Sequence, residues 1–469
     1  MLEGLEISEV KLSEIFNNLI SNRIDSEHFL KKYTTNIETI KSYKNGFFTL
    51  KDLLKRISGG ATPLGAEYSE KGIAFLRVQN IMQNYFDLND VVYITKQQDE
   101  EIKRSRLKEN DVLLTITGSY GKSAVVSDNL INANINQHSV KMELKKELNP
   151  FFLSTFFNSK FGKLQSDVNV VGVTRPALDY ESIRNFIIPN VPVDFQGEIE
   201  KIIIQSKNKE KQSKTLYSEA ENLLLEELGL KDWQPKNENI SIKHFSDFAQ
   251  TGRLDAEYYQ PKYDEAEEKI KLFKQFAITD IFDLLSNPSP SNYTSIGTKV
   301  IKTKNVRIPS VNFDSITDCT DADSLIVEKN DLLFASMGVG SLGRISYIKE
   351  VNQCCTIDGT IRLMRTKQEY KQQNYEIPTM LFLTSKIGQE VIYKHVIGST
   401  GIISISKDKI ANLKIPILST NIRQKLSKLV NQSQELKAES KRLLEVAKTA
   451  VEVAIEQSED KGLQLLKNI

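Results

Sequence analysis

Two long stretches dominate the hydrophobic pattern of the chain, and in both of them apolar and small residues recur at alternating steps of three and four. The first stretch covers about residues 196–228, and the second covers about residues 421–456. This spacing is that of a heptad seam, along which one helix packs against another. The seam positions are Ile199, Ile202, Ser206, Lys209, Ser213, Leu216, Ala220 and Leu223 in the first stretch, and Leu426, Leu429, Ser433, Leu436, Ser440, Leu443, Ala447 and Ala450 in the second. We therefore expect two long helices, each spanning roughly 50 Å at about 1.5 Å per residue.

The small residues of the two seams recur at a constant offset along the chain, as Ser206 and Ser433 illustrate. Small side chains at one seam position allow two helix backbones to approach closely while the leucine rows interdigitate. The matched seams, and a length beyond that of an ordinary globular helix, favour one paired rod. The alternative is that the two helices are separate and amphipathic, each packed on its own domain.

The sequence on either side of the first long stretch repeats as well. The matching pairs are residues 7–15 with 240–248, 23–33 with 253–263, 109–114 with 329–334, 158–162 with 384–388, Gly118 with Gly338, and Gly172 with Gly398. Each half therefore predicts a short leader, a mixed α/β globule whose strands come from β-branched runs, and a long helix. Residues 229–236 begin with glycine and contain proline, which predicts a helix stop and a linker between the halves.

Composition places the chain among ordinary globular proteins. Its 469 residues are enough for two or three domains, and the formal net charge of +1 means that a basic face must be local if it exists. The sequence shows no signal peptide and no apolar run of membrane-spanning length. The three cysteines form no CxxC pair and have no histidine at ligand spacing, so we expect reduced thiols, no zinc site and a cytoplasmic protein.

The motifs that would indicate an enzyme are missing. An adenine methyltransferase needs two adjacent prolines followed by an aromatic residue, whereas the nearest string, NPSP at residues 287–290, lacks both. Residues 118–123 end like a phosphate-binding loop but have two spacer residues where four are needed. The four histidines, His28, His138, His244 and His395, show no spacing of a nucleophile and its base. We expect no catalysis and no cofactor.

Polar, basic and aromatic residues concentrate in the loops of the two globules. Arg and Lys suit guanine edges or phosphates, and Asn and Gln suit adenine. The candidate DNA-binding residues are Thr62, Arg77, Gln79, Asn80, Thr117, Ser119, Tyr120, Lys122, Asn136, Gln137, His138, Thr174, Arg175, Lys302, Lys304, Asn305, Arg307, Ser336, Arg344, Ser399 and Thr400. For each of them the alternative is a structural role, because Asn and Gln side chains often form hydrogen bonds with the local backbone and Arg side chains often pack over a sheet. The loops differ between the copies, as two domains that recognise different sequences would require.

These motifs, in this order and in two copies, resemble the DNA-specificity (S) subunit of type I restriction-modification systems. The strings that carry the resemblance are GGATP at 59–63, IAFLRVQNI at 73–81, NDVLL at 110–114 followed by TG at 117–118, NQH at 136–138, GVTR at 172–175 and the IP step at 188–189. The second globule departs from this pattern. It has SNPSP at 286–290 where the first has the glycine-rich entrance, and GSTGI at 398–402 where the first has an arginine.

The resemblance implies an α+β fold in which two mixed α/β target-recognition domains are joined by two long helices that form an antiparallel coiled coil, with an internal pseudo-twofold repeat. The domain boundaries we expect are a leader at 1–45, the first target-recognition domain at 46–195, a central long helix at 196–229, a linker and second leader at 230–275, the second target-recognition domain at 276–420, and a C-terminal long helix at 421–469. Each domain would recognise one half of a split double-stranded DNA sequence, and the coiled coil would act as a spacer.

The family further implies that the subunit docks two methyltransferase subunits, which methylate adenine, and restriction subunits where these are present. No catalytic part precedes the first leader, which favours a free subunit over a module fused to a methyltransferase. Near-zero net charge predicts weak DNA binding by the chain alone, and the leaders at 23–33 and 253–263, with the rod, are candidate docking segments. The alternative for the leaders is that Asp25 and Glu27 pair with Arg23 or cap the following helix.

Two other functions remain open at this point. One is a structural adaptor whose globules bind protein and whose coiled coil serves for assembly, which near-neutral charge favours slightly. The other is a standalone nuclease or methyltransferase, which the missing motifs disfavour.

Overall fold

A computed structural model of the chain describes residues 11, 25–65, 68–69, 71–172, 174–236, 238, 240–288, 293–321, 325–351, 353–398 and 402–468. The chain divides into two compact units. Unit 1 is formed by residues within 1–210 and 437–469, and unit 2 by residues within 211–436. The repeat of residues 7–15, and Arg23 of the first leader, lie outside the described residues.

Unit 1 combines three small sheets with helices. Its strands are β1 (Phe47–Thr49), β2 (Leu54–Gly59), β3 (Ile73–Leu76), β4 (Val92–Ile94), β5 (Val112–Thr115), β6 (Ser123–Val125), β7 (Asn134–Ile135), β8 (Ser139–Leu144) and β9 (Ile187–Pro189). Its helices are α1 (Lys31–Lys41), α2 (Leu50–Leu53), α3 (Lys96–Glu101), α4 (Pro150–Asn158), α5 (Lys160–Asn169), α6 (Tyr180–Arg184) and the first part of α7 (Val193–Glu227). The sheets have the strand orders β2-β8-β5-β6, β4-β3-β7 and β1-β9, and all pairs are antiparallel except β3 with β7.

The core of unit 1 lies between the four-stranded sheet and the helices that follow it. Every residue of β5 is buried, which fits its continuous apolar run. Helix α4 begins after Asn149, whose side chain accepts hydrogen bonds from the backbone N–H groups of Phe151 and Phe152. The apolar face of α4, including Phe152 and Phe156, is fully buried in the same core as β5.

Unit 2 has the same strand orders with its own strands. These are β10 (Gln275–Ala277), β11 (Phe282–Leu285), β12 (Thr298–Ile301), β13 (Cys319–Thr320), β14 (Leu332–Ala335), β15 (Ile345–Tyr347), β16 (Cys355–Ile357), β17 (Ile361–Thr366) and β18 (Lys414–Pro416). The sheets are β11-β17-β14-β15, β13-β12-β16 and β10-β18, and β12 pairs with β16 in parallel as β3 does with β7. The mixed helix-and-sheet class predicted from the sequence is confirmed.

The helices of unit 2 are arranged around these sheets. They are α8 (Phe245–Thr251), α9 (Pro261–Lys271), α10 (Ile278–Ile281), α11 (Glu376–Thr384), α12 (Lys386–Tyr393), α13 (Lys407–Ala411) and the first part of α14 (Thr420–Glu456). The second part of α14 belongs to unit 1, as does α15 (Glu459–Lys467), whose Glu459 lies 2.5 Å from Lys44. Among the described residues, no helix combines the length and the apolar character needed to cross a membrane.

The long helices α7 and α14 contact each other inside both units through buried serines. In unit 1, Ser206 Oγ donates a hydrogen bond to the backbone oxygen of Ser440 at 2.9 Å. In unit 2, Ser213 Oγ donates to the backbone oxygen of Ser433, and Ser433 Oγ donates to that of Ser213, both at 2.8 Å. The predicted small seam positions are therefore the places where the two backbones lie close together.

The predicted apolar seam positions are buried to different degrees. Fully buried positions include Ile199, Leu426 and Leu443, whereas Leu216, Leu223, Leu429 and Leu436 are half-buried. Leu224 is buried instead of the predicted Leu223, because a straight helix of about 3.6 residues per turn drifts away from a strict heptad.

Each four-stranded sheet also contains one buried ion pair. In unit 1, Lys141 Nζ lies 3.5 Å from the Asp111 carboxylate, and the two side chains are only 4% and 3% exposed. In unit 2, Arg365 donates two hydrogen bonds to Asp331, from Nε at 2.9 Å and Nη2 at 2.8 Å. Burial raises the pKa of Asp111. The charged form of this carboxylate is stabilised by Lys141 and by the hydrogen bond that it accepts from the backbone N–H of Lys108.

Replacing Lys141 with Met should lower the free energy of unfolding by about 3 kcal/mol, because it removes the cation from a buried carboxylate. The matched control is Lys108→Met, since Lys108 is exposed and lies 3.5 Å from Glu143, and it should change the free energy by less than about 0.5 kcal/mol. Urea denaturation followed by circular dichroism measures both. Equal midpoints for the two variants would contradict the importance of the pair.

Candidate nucleic-acid interface

The turn between β5 and β6 forms one edge of the candidate surface in unit 1. Gly118 and Gly121 adopt φ of 72° and 82°, which glycine reaches without strain. Thr115 Oγ1 closes the turn, since it donates to the backbone oxygen of Ser119 at 2.8 Å and accepts from the N–H of Lys122 at 3.0 Å. As a result, Ser119 is held at the exposed tip of the turn.

The glycine-rich entrance lies beside the segment that follows β7. A Cβ on Gly60 would lie 2.1 Å from the backbone oxygen of Asn136, so only glycine allows this close approach. Two residues later, the Thr62 hydroxyl donates a hydrogen bond to Oε1 of Gln137, and both side chains are exposed. The entrance and the Asn-Gln-His string therefore meet.

His138 connects this segment to the turn. Its backbone oxygen accepts a hydrogen bond from the N–H of Ile116 at 2.9 Å, directly before Thr117. Burial and then the charge of Arg175 lower the pKa of His138 below its usual value. Together with the exposed Thr174, these residues form the unit 1 surface, which we define as Thr62, Thr117, Ser119, Gln137, His138, Thr174 and Arg175.

Other candidates of unit 1 have different neighbours. Lys163 Nζ lies 4.0 Å from the centre of the Tyr120 ring, and burial and a hydrogen bond that the Tyr120 hydroxyl donates to Asp167 raise the pKa of Tyr120 to about 12. Lys122 is half-buried beside the sulfur of Met82, at 3.7 Å, and burial lowers its pKa. The side chains of Tyr120 and Lys122 therefore contact groups outside the unit 1 surface, although both residues belong to the same turn as Ser119.

Arg77 and Gln79 lie after β3, apart from the contacts that define the unit 1 surface. Arg77 Nη2 donates to the backbone oxygen of Asp90 at 2.7 Å, and its guanidinium lies 6.0 Å from the centre of the Tyr68 ring. Gln79 is exposed.

Three predicted DNA contacts are corrected by the structure, because their side chains are buried and already bonded within the chain. Asn80 is 1% exposed; its Oδ1 accepts from the N–H of Arg77 at 2.9 Å, and its Nδ2 donates to the oxygen of Asp87 at 2.9 Å. Asn305 makes the equivalent bonds to Lys302 and Ser315. Ser336 is 2% exposed and donates to the oxygen of Thr360 at 2.8 Å.

A fourth candidate, Asn136, is also almost completely buried. Its Oδ1 accepts a hydrogen bond from the N–H of His138 at 3.3 Å. Its role is therefore to shape the segment that presents Gln137 and His138. These four side chains have structural roles because an amide or hydroxyl that bonds the backbone has the same sequence signature as one that contacts a base.

The equivalent place in unit 2 carries different chemistry. Asp358 occupies the position that Asn136 has in unit 1. Its carboxylate accepts a hydrogen bond from the N–H of Thr360 at 3.0 Å, and its own N–H donates to the backbone oxygen at the end of β12. The Tyr293 hydroxyl donates to the Asp358 carboxylate, and Lys302 Nζ lies 3.4 Å from the centre of the Tyr293 ring. The pKa of Tyr293 is raised to about 12 by burial and by Asp358.

The candidate cations of unit 2 have different surroundings. Lys302 and Lys304 lie 3.3 and 3.6 Å from Asp318, and Arg307 is exposed. Arg344 is half-buried at the end of the turn between β14 and β15. Ser399 and Thr400 lie outside the described residues.

The sequence reasoning missed Tyr68 and Tyr293. Each ring lies near the cation that follows the central strand of its three-stranded sheet, Arg77 in unit 1 and Lys302 in unit 2. A signal was available, because each tyrosine precedes its cation by the same number of residues.

The second leader packs on its own unit. Arg253 pairs with Asp255 at 2.7 Å and donates to the backbone oxygens of Lys394 and Val396, which follow helix α12. Asp25 of the first leader accepts a hydrogen bond from the N–H of His28. These contacts favour the structural alternative for the acidic residues of the leaders.

Comparisons with known proteins agree on one family. A family model described as the type I restriction modification DNA specificity domain matches residues 43–222. The specificity subunit of the type I restriction enzyme EcoBI from Escherichia coli is 29% identical over 157 residues, which cover 32% of this chain. The match spans only 33% of the length of that relative.

Two solved structures of specificity subunits were also found. The S subunit from M. genitalium is 12% identical with a TM-score of 0.39, covering 91% of this chain and 96% of that one. The HsdS subunit from Thermoanaerobacter tengcongensis is 13% identical with a TM-score of 0.30, covering 88% of this chain and 96% of that one.

Residues 43–222 therefore match the type I restriction modification DNA specificity domain, and the predicted resemblance to specificity subunits is confirmed. The matched segment contains all of the unit 1 surface.

Replacing Asn80 with Ala should lower the free energy of unfolding by about 2 kcal/mol, because it leaves the N–H of Arg77 and the oxygen of Asp87 without their partner. The neighbouring Gln79→Ala is the matched control and should change it by less than about 0.5 kcal/mol, since Gln79 is exposed. Chemical denaturation of both variants gives the difference. An Asn80→Ala protein as stable as the control would remove the structural role.

Proposed function

We propose that this chain is a non-catalytic DNA sequence-recognition subunit of a type I restriction-modification complex, in which each globular domain recognises one half of a bipartite target. The observation that carries the proposal is that units 1 and 2 have the same strand orders but present different side chains at equivalent places. Unit 1 has Asn136 and His138 where unit 2 has Asp358 and Thr360. A shared scaffold with different surface chemistry suits two readers of different sequences.

The domains of this proposal are those expected from the sequence. Residues 46–195 and 276–420 are the two target-recognition domains, each preceded by a leader, at 1–45 and 230–275, and followed by a long helix, at 196–229 and 421–469. The equal strand orders support an internal pseudo-twofold repeat. The serine contacts support an antiparallel coiled coil, because the earlier serine of α7 meets the later serine of α14.

The unit 1 surface has the chemistry for DNA. Arg175 supplies a cation for guanine or phosphate, and Gln137 supplies an exposed amide for adenine. Thr62, Thr117 and Ser119 add hydroxyl groups that donate to phosphate oxygens. In unit 2, Lys304 and Arg307 are exposed cations that suit the DNA backbone.

Partner subunits complete the function in this proposal. Two methyltransferase subunits supply the chemistry, restriction subunits join them where present, the chain itself needs no cofactor, and the assembly works in the cytoplasm. The second leader supports docking, because Ile240, Ile242, Phe245 and Leu254 are all at least 78% exposed. Exposed apolar side chains of this number in one segment favour burial against another protein.

The test is to map methylated adenines across the genome of the source cell with and without the gene for this chain. We expect one bipartite motif to lose methylation when the chain is absent. A salt titration separates this function from the adaptor alternative, since phosphate contacts weaken steeply as salt rises whereas apolar protein docking does not. An unchanged methylation map would refute the proposal.

Replacing Arg175 with Ala should weaken binding of the assembled complex to its target by about 1–3 kcal/mol and relax base preference in one half-site only. Arg104→Ala is the matched control, because Arg104 is exposed in the same unit but has no described contact with the unit 1 surface. Methylation mapping of both variants measures the effect. Relaxed preference in both half-sites would contradict independent recognition.

Inserting one heptad into both long helices, between Ser206 and Ser213 and between Ser433 and Ser440, should lengthen the gap between the half-sites by about three base pairs. Seven residues add roughly 10 Å of helix, and one base pair occupies about 3.4 Å. The same residues inserted in the linker near 234 should leave the gap unchanged. If the gap between the half-sites stays the same after the insertion into the helices, the spacer role is excluded.

A further inference from the structure

The turn between β14 and β15 in unit 2 carries a group of exposed apolar side chains. Met337, Val339, Ile397 and Ile402 are 36%, 67%, 53% and 69% exposed. Backbone contacts bring them together, since Met337 and Ile397 both form a bridge with Ser404, and the N–H of Gly338 donates to the oxygen of Ile403 at 2.9 Å. We call these four side chains the apolar tip of unit 2.

The equivalent turn of unit 1 is polar. Thr117 stands where unit 2 has Met337, because Thr117 forms the corresponding bridge, with Ala177. Ser119 is the exposed residue two positions later, where unit 2 has Val339, and Arg175 follows the next glycine segment. Ile397 has an apolar counterpart in unit 1, since Val171 also forms a bridge with Ala177 and is 51% exposed. The difference between the units therefore lies in the turn itself, where Met337 and Val339 replace Thr117 and Ser119.

Glycines hold the apolar tip in an open turn. Gly338 and Gly340 adopt φ of 102° and 72°, and a Cβ built on Gly340 would have no atom within 4 Å. Val339 lies between them and is 67% exposed. The turn is therefore built to approach a ligand closely.

A chain of contacts joins the residue before the apolar tip to Lys302. Ser336 bonds Thr360, Thr360 bonds Asp358, Asp358 bonds Tyr293, and the Tyr293 ring lies under Lys302. Lys302 also lies 3.3 Å from Asp318, so its charge is balanced within the unit. The ligand of the tip follows instead from its place in the fold, because the equivalent turn of unit 1 belongs to the surface proposed to bind DNA, and thymine presents a C5-methyl group in the major groove that apolar side chains contact.

We propose that the apolar tip is a specificity element of the second target-recognition domain, and that Val339 and Met337 contact the C5-methyl groups of thymines in the second half-site. This inference rests on the proposed function and names the base chemistry that one of its two domains recognises. Unit 1, with hydroxyl groups and Arg175 at the same place, depends instead on polar base edges.

The test uses the complex of the chain with its methyltransferase subunits and synthetic duplexes carrying the mapped target. Deoxyuridine replaces thymidine in the second half-site, which removes only the C5-methyl group and keeps base pairing. Affinity and methylation rate should fall about three- to five-fold for each contacted thymine, as expected for one lost buried methyl group.

Val339→Ser should reduce this preference for thymine over uracil to less than about two-fold. Leu272→Ser is the matched control, because Leu272 is another highly exposed apolar residue of unit 2, at 78%, and it should leave the preference intact. Both sites are exposed, so folding is expected to survive, and the wild-type comparison of thymine with uracil does not depend on any variant.

The outcomes separate the two proposals. A second half-site without thymine, or an unchanged affinity on deoxyuridine substitution, overturns the apolar-tip inference while bipartite recognition stands. A complex whose target does not depend on this chain overturns the proposed function itself.

Discussion

The serine contacts between the two long helices are the interaction on which the rest of the structure depends. Each unit contains one pair, and in each pair a buried hydroxyl bonds the backbone oxygen of the opposite helix. Larger side chains at these positions would push the two helix backbones apart, and apolar side chains could not form these hydrogen bonds. In both units, the helices joined by this contact also support the sheets.

The helices also complete the two cores. In unit 1, Ile199 and Ile203 of α7 and Leu443 and Ala447 of α14 are buried in the same cluster as the four-stranded sheet. In unit 2, Ala220 and Leu224 of α7 share a cluster with Leu426 of α14 and the strands of that unit. The same two helices, α7 and α14, therefore pack against each other and also support the sheets. A change in the packing of the helices would for this reason change the stability of each globule.

The sequence predicted the features that depend on periodicity and on backbone chemistry. The long helices cover nearly the stretches predicted from their seams, whereas the C-terminal long helix expected over 421–469 ends at Glu456 and is followed by α15. It failed where a side chain had two chemically equivalent uses. Asn80 and Asn305 resemble base-contacting amides in sequence, but tertiary packing turns both toward the backbone. Tyr68 and Tyr293 were missed because their partners come from the next strand of the sheet.

The composition of the units has a consequence for synthesis on the ribosome. Unit 2 is one continuous segment, residues 211–436, whereas the core of unit 1 needs Leu443 and Ala447 from the last part of the chain. Domains usually fold in the order in which they emerge. Here the amino-terminal globule must wait until residues 437–469 have been made, so a ribosome that stops shortly after residue 436 would release a complete second globule beside an incomplete first one.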